Sequence, residues 1–284
     1  TEDKDYVIAS DTDSIYLHMG DLVEAVYKGR EKTTEGIVGF LNKVCEVELE
    51  PYIESSYQEL ADYVNAYDQK MIMKRENIAD RGIWTAKKRY ILNVWDSEGV
   101  RYEQAKLKIM GIEAIKTSTP APCRTMLKDA FKLLMTGTED EVIDYIEKCR
   151  SEFKNFPPEE VGFPRSVNNL QKYKGVSDIY NKGTPINVRG ALLFNHYIKK
   201  NNLEHKYSAI QNGEKIRFCY LKTPNWMHEN VISYIQDLPK ELDLHKHVDY
   251  DLQFEKAFLE PIKVILNCIG WETERKNTLE SFFS

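Results

Sequence analysis

An α+β architecture is predicted for this 284-residue chain. Three observations predict it. Short β-like apolar runs bounded by turn residues fill the first part. Apolar residues at helical spacing dominate after Thr119-Pro120-Ala121-Pro122, where proline fixes φ and restricts its neighbour. The chain shows no internal repeat that would indicate a solenoid or an array. The expected organisation is an antiparallel sheet with helices over residues 1–118, then a mostly helical domain over residues 119–284. Two domains also suit the length, and 42% hydrophobic residues are enough to bury real cores.

The elements follow in order. Tyr6-Val7-Ile8 and Ile15-Tyr16-Leu17 flank a polar Ser10–Ser14 turn and predict a hairpin. Ile37, Phe40, Leu41 and Val44 open a long helical stretch toward Tyr63. Lys88–Trp95 and Val100–Ile109 are expected strands, joined at Asp96-Ser97-Glu98-Gly99. Met126, Leu127, Ala130, Phe131 and Leu134 mark a helix beyond the prolines. Thr138 with Glu141 forms a capping-box pattern before Val142, Tyr145 and Ile146, and Pro157-Pro158 ends that region. Helical spacing returns in Val231–Ile235 and in Phe254–Ile265.

The net charge is −6, from 39 basic and 45 acidic residues. Taken whole, that speaks against a simple basic nucleic-acid binder. By segment the picture differs. Residues 1–69 carry 5 basic and 16 acidic side chains, net −11. Residues 70–132 carry net +7, and residues 161–222 carry 11 basic and 3 acidic, net +8. Both basic segments contain aromatic residues, among them Trp84, Tyr90, Tyr173 and Tyr180. They are either solvated faces or patches that meet phosphate. No apolar run approaches the roughly 18–20 residues that span a bilayer, so no membrane partner is expected. Cys45, Cys123, Cys149, Cys219 and Cys268 lie far apart without a close ligand pair. Free thiols in a reducing cytoplasm are the expectation. The first residue is Thr1 and β-like residues begin at once, which reads as a piece starting inside a domain.

The sharpest chemical pattern is Asp11-Thr12-Asp13-Ser14. In a strand, residues i and i+2 share a face, and two carboxylates so placed can hold a divalent cation. Asp is also common in turns for backbone reasons alone. An EF-hand is excluded, because its Gly and Glu positions are Tyr16 and Leu22. A D-x-D phosphatase, with Asp11 as nucleophile and Asp13 as acid/base, lacks a convincing later acidic pair. A phosphoryl-transfer site of the polymerase kind stays open beside the plain turn. Lys87-Lys88-Arg89-Tyr90 adds to it: Lys88 and Tyr90, at i and i+2 of an expected strand, can grip a phosphate and stack on a sugar or base. The other reading of that run is a strand edge guarded by lysines.

Together these features resemble the C-terminal part of the family B DNA polymerases, most like the T-even-phage replicative branch. Asp11-Thr12-Asp13-Ser14 resembles the third palm motif, although Ala9-Ser10 stands where many members have Tyr-Gly. Lys88-Arg89-Tyr90 matches the K-x-Y motif, within Trp84-Thr85-Ala86-Lys87 and Asn93-Val94-Trp95. Lys106 through Gly111, then Thr117-Ser118-Thr119-Pro120, is similar to the palm-to-thumb junction. Phe163-Pro164-Arg165, Asn168-Asn169, Tyr173 and Val188-Arg189-Gly190 are similar to the thumb.

The resemblance implies a partial palm over residues 1–118 and a mostly helical thumb over 119–284. It implies DNA-templated DNA synthesis with two Mg²⁺ ions. Asp13 would be the direct metal ligand, Asp11 a nearby support and Glu76 a further acid. Another catalytic aspartate and a lysine that meets the deoxynucleoside triphosphate would come from an N-terminal polymerase segment outside this chain. Primer–template DNA would meet Lys87, Lys88, Tyr90, Lys106 and Lys108, and on the thumb Asn168, Asn169, Lys172 and Tyr173. The terminal run with Leu279, Phe282 and Phe283 resembles tails that bind the sliding clamp. The alternative is a catalytically silent subunit that grips duplex DNA and tethers it to the clamp.

Overall fold

The structure is a computed structural model and describes residues 4–275. The chain divides into two compact units, Thr1–Met110 and Gly111–Ser284. The sheets are antiparallel throughout, so the chain is α+β. Among the described residues no helix is long and apolar enough to cross a membrane.

The first unit begins with β1 (Val7–Asp11) and β2 (Ser14–Leu17), which pair around Thr12-Asp13. Helix α1 (Gly20–Val26) leads to α2 (Thr34–Val44), and α2 continues through a wider turn at Cys45–Leu49 into α3 (Glu50–Tyr63). Thr33 caps α2 by accepting from the Gly36 N–H at 3.2 Å. The long helical stretch toward Tyr63 is therefore present.

Next comes a meander of β3 (Asn77–Ala86), β4 (Arg89–Ser97) and β5 (Val100–Met110). β4 and β5 are the two expected strands. β3 escaped notice because its register shifts three times against β4, which blurs the period-2 pattern. One of its residues is Gly82, where a Cβ would lie 2.6 Å from the Trp84 ring and 2.8 Å from Leu92. Only glycine lets the indole lie that close to the backbone.

A buried ion network pins this sheet to the helices. The Asp96 carboxylate sits at the β4–β5 turn and pairs with the Arg75 guanidinium. It also accepts from the Gly99 N–H at 3.0 Å. Arg75 reaches Asn42 of α2 at 2.5 Å, and its own N–H donates to Glu50 of α3 at 3.0 Å. Lys74 closes the set on Glu50 at 2.7 Å. That lysine bond holds the Glu50 carboxyl below its ordinary range.

The second unit opens on Ile112 and Ala114, both fully buried. Thr119-Pro120 thus lies inside this unit, just ahead of α4. α4 (Ala121–Thr136) and α5 (Glu139–Phe153) form a helical hairpin. The predicted apolar stripe of α4 is buried, and both hydrogen bonds of the Thr138–Glu141 capping box are formed. Then follow α6 (Pro158–Val161), β6 (Phe163–Ser166), α7 (Leu170–Tyr173) and α8 (Ile186–Lys200). The unit continues through β7 (Lys215–Tyr220), β8 (Val231–Tyr234), α9 (Tyr250–Phe254) and α10 (Glu260–Cys268). In the core Phe254 stacks on Phe258 with centroids 4.9 Å apart, and Phe153 meets Phe254 at a tilt, 5.3 Å away.

The helical expectation at Val231–Ile235 is corrected: Val231–Tyr234 form β8, an edge strand of the β6-β7-β8 sheet, and Ile235 follows in a bend. All four residues of β8 are buried. A short run covered on both faces has no alternation to distinguish it from a helix. Helix α8 supplies one cover, and Gly190 allows the approach. A Cβ there would lie 2.4 Å from Ser233 Oγ and 2.8 Å from its backbone nitrogen. Ser233 Oγ in turn donates to the Asn187 carbonyl at 2.9 Å. On the other side the Tyr234 hydroxyl donates to the Pro158 carbonyl. The five cysteines carry free thiols, and burial pushes Cys123 and Cys219 up to about 12.

Candidate functional site

In the first unit, two hairpins that are far apart in sequence come together. At the tip of the first, Asp11 ends β1 while Thr12 turns with φ 53°. The Asp13 N–H donates to the Asp11 carbonyl at 2.6 Å, and Ser14 Oγ donates to the same oxygen at 3.2 Å. Asp13 therefore lies in the turn, and the strand-alternation argument for a shared carboxylate face does not hold. What the tip offers instead is an exposed Asp13 carboxylate beside a partly buried Asp11.

Tyr16 of β2 fixes this tip to the sheet. Its hydroxyl donates to the Tyr90 hydroxyl at 2.8 Å, and its ring meets Trp84 edge-on with centroids 5.4 Å apart. Burial, then the Tyr90 bond, raise the Tyr16 hydroxyl to about 12. Tyr90 is 9% exposed and sits in a small core with Leu92, Val94, Trp84 and Tyr102. Neither Tyr16 nor Trp84 was singled out as a site residue from sequence. The signal was there in the alternation Ser14, Tyr16 along β2.

Lys87 and Lys88 occupy the turn between β3 and β4, and Lys88 has φ 62°. This corrects a second expectation. Lys88 and Tyr90 do not share a strand face, because a left-handed turn residue stands outside the pleat. The turn instead carries the Lys88 ammonium to 3.7 Å from the Asp11 carboxylate. The second hairpin thus brings positive charge to the acidic tip of the first.

β5 adds two lysines to the sheet. Lys106 pairs in register with Val94, and Lys108 with Leu92. Opposed residues in an antiparallel ladder share a face, so both lie on the Tyr90 side. The Lys106 ammonium sits 4.0 Å over the Tyr102 ring. Lys108 is bonded to the Glu76 carboxylate, and that bond holds Glu76 below its ordinary range.

No cluster of three or more acidic, histidine or cysteine side chains with metal-binding geometry occurs among the described residues. The donor set at the tip is the Asp11 and Asp13 pair. Two carboxylates with the remaining positions open fit Mg²⁺, which keeps waters and takes phosphate oxygens.

In the second unit, Asn168, Asn169 and Lys172 are exposed and Tyr173 half-buried along one turn. Asn169 is left-handed at φ 60°, ψ 34°, and its carbonyl accepts from the Lys172 N–H at 3.0 Å. The Lys172 ammonium lies 5.5 Å from the Tyr173 ring. The structure thus places the expected residues in two groups, one in each unit. Leu279, Phe282 and Phe283 lie outside the described residues.

No family model matches the chain. Among curated proteins it is similar to the DNA-directed DNA polymerase of Escherichia phage RB69, 32% identical over 296 residues. It is also similar to the DNA-directed DNA polymerase of Enterobacteria phage T4, 29% identical over 297 residues. Both alignments take in the whole of this chain. The chain is thus similar, along its whole length, to one part of these phage DNA-directed DNA polymerases. It spans 32% of the length of each of these relatives.

Proposed function

We propose that the chain supplies one part of a site for DNA-templated DNA synthesis. Asp13, supported by Asp11, holds Mg²⁺ at the hairpin tip. In a two-metal site the bound ions activate the primer 3′-hydroxyl and stabilise the leaving pyrophosphate. Lys87 and Lys88 meet phosphates of the primer strand near its end, and Tyr90, locked by Tyr16, sets the position of that turn. Lys106 and Lys108 line the path of the duplex. Glu76 joins the site only by exchanging Lys108 for a metal. Asn168, Asn169, Lys172 and Tyr173 contact the duplex from the second unit. The observation that carries this reading is the approach of Lys88 to Asp11 at 3.7 Å. A cation able to meet phosphate beside an acid able to hold a metal supports this reading.

The remaining aspartate and the lysine for the incoming deoxynucleoside triphosphate come from an N-terminal polymerase segment. Two facts support such a partner. The relatives are about three times longer than this chain. The first unit also leaves Leu60, Tyr63, Val64, Tyr67, Met71 and Ile72 exposed along the end of α3 and beyond it, an apolar patch of the kind that marks an interface.

Primer extension tests the proposal. The chain alone gives no synthesis, and adding the N-terminal segment restores it. A complex of the two that binds primer–template without extending it would favour the silent grip instead. The tail with Leu279, Phe282 and Phe283 docks on the sliding clamp. Deleting residues 278–284 leaves short-primer extension intact and abolishes the gain in product length on adding clamp. Equal product lengths from both forms with clamp present would contradict that assignment.

A further inference from the structure

A polar contact between the two hairpins of the first unit runs in one direction. The Tyr16 hydroxyl donates to the Tyr90 hydroxyl at 2.8 Å. A phenol hydroxyl carries one hydrogen and can also accept. Tyr16 has therefore committed its hydrogen, while Tyr90 keeps its own. Two hydrogens cannot share the space between the two oxygens, so the Tyr90 hydrogen is turned away from Tyr16. Among the described residues nothing accepts it.

Three rings hold this geometry. Tyr16 lies 5.4 Å from Tyr90 with the ring planes at 60°, and it meets Trp84 edge-on at 5.4 Å. Trp84 closes the triangle 6.1 Å from Tyr90. The hydroxyl pair is only partly buried, which leaves the Tyr90 hydrogen open to a ligand. Lys88 precedes Tyr90 by two residues, and Lys106 of β5 lies on the Tyr90 side of the sheet. A donor flanked by cations suits a phosphate oxygen, since a hydrogen bond to a charged acceptor is the stronger kind.

We propose that Tyr16 is a positioning residue for synthesis: by donating to Tyr90 it turns the Tyr90 hydroxyl, so that Tyr90 donates to a phosphate oxygen of the primer strand. The proposal rests on the reading of the first unit as part of a synthesis site. The test is primer extension across a range of primer–template concentrations, by the 284-residue chain complemented with its N-terminal segment. Wild type, Tyr16→Phe, Tyr90→Phe and the double variant are compared. Tyr16→Phe keeps the ring against Trp84 and loses the hydroxyl alone. It raises the KM for primer–template about fivefold, the worth of one hydrogen bond, with kcat close to wild type. A merely structural role would instead lower the folded fraction, and hence kcat, at unchanged KM. In the Tyr90→Phe background the same substitution adds nothing, because the hydroxyl through which Tyr16 acts is gone. An unchanged KM in Tyr16→Phe, or an equal effect of Tyr16→Phe with and without the Tyr90 hydroxyl, would overturn the positioning role while leaving synthesis in place. No synthesis by the complemented wild-type chain would overturn the underlying reading itself.

Discussion

Asp96→Ala destabilises the first unit by about 3–5 kcal/mol, the usual cost of removing one partner from a buried ion pair. The Asp96 side chain is 2% exposed and that of Arg75 10%. Without the carboxylate the guanidinium keeps, among the described residues, the neutral Asn42 as its side-chain acceptor. The Gly99 N–H also loses its acceptor at the β4–β5 turn. Unfolding in urea, followed through Trp84 and Trp95 of the same sheet, measures the change. Arg101→Ala is the internal comparison. Arg101 reaches the same carboxylate at 3.5 Å but is 39% exposed, so its loss costs at most about 1 kcal/mol. A combined Arg75→Met and Asp96→Leu variant recovers much of the stability, since no charge is left stranded. A shift below about 1 kcal/mol for Asp96→Ala would show that the network does not anchor the sheet.

Much of this architecture was legible in the sequence wherever one local rule acted alone. The capping box of α5, the stripe of α4 and the β4–β5 hairpin each follow from a single pattern, and each is present. Legibility failed where long-range packing overrode the pattern. β3 is broken by bulges and by Gly82, whose reason is the Trp84 ring above it. β8 is buried on both sides, so its period vanished. The site shows the same division. Asp11, Asp13 and Lys88 were readable as residue types. Their arrangement was not, because left-handed residues at Thr12 and Lys88 take the chain out of the pleat. Meeting a hairpin more than seventy residues away depends on Tyr16 and Tyr90, and no spacing rule encodes that contact.

Asp13→Asn removes a charge while leaving the turn intact, because the bond that shapes it runs from the Asp13 backbone N–H to the Asp11 carbonyl. The side chain is exposed and supports no core, so folding is unaffected. With the tip holding Mg²⁺ as proposed, coordination there would contribute several kcal/mol of transition-state charge stabilisation, which corresponds to about a thousandfold in rate. Lys88→Ala acts on a neighbouring step: it weakens the hold on the primer end and raises the DNA concentration needed, with a smaller effect on the maximal rate. The most direct measurement is therefore Mg²⁺-dependent primer extension by the chain complemented with its N-terminal segment, wild type against Asp13→Asn, at saturating DNA. Wild-type synthesis with a loss of about a thousandfold in Asp13→Asn is the predicted result. Undiminished synthesis by Asp13→Asn would contradict the assignment of the hairpin tip as the metal-holding part of the site.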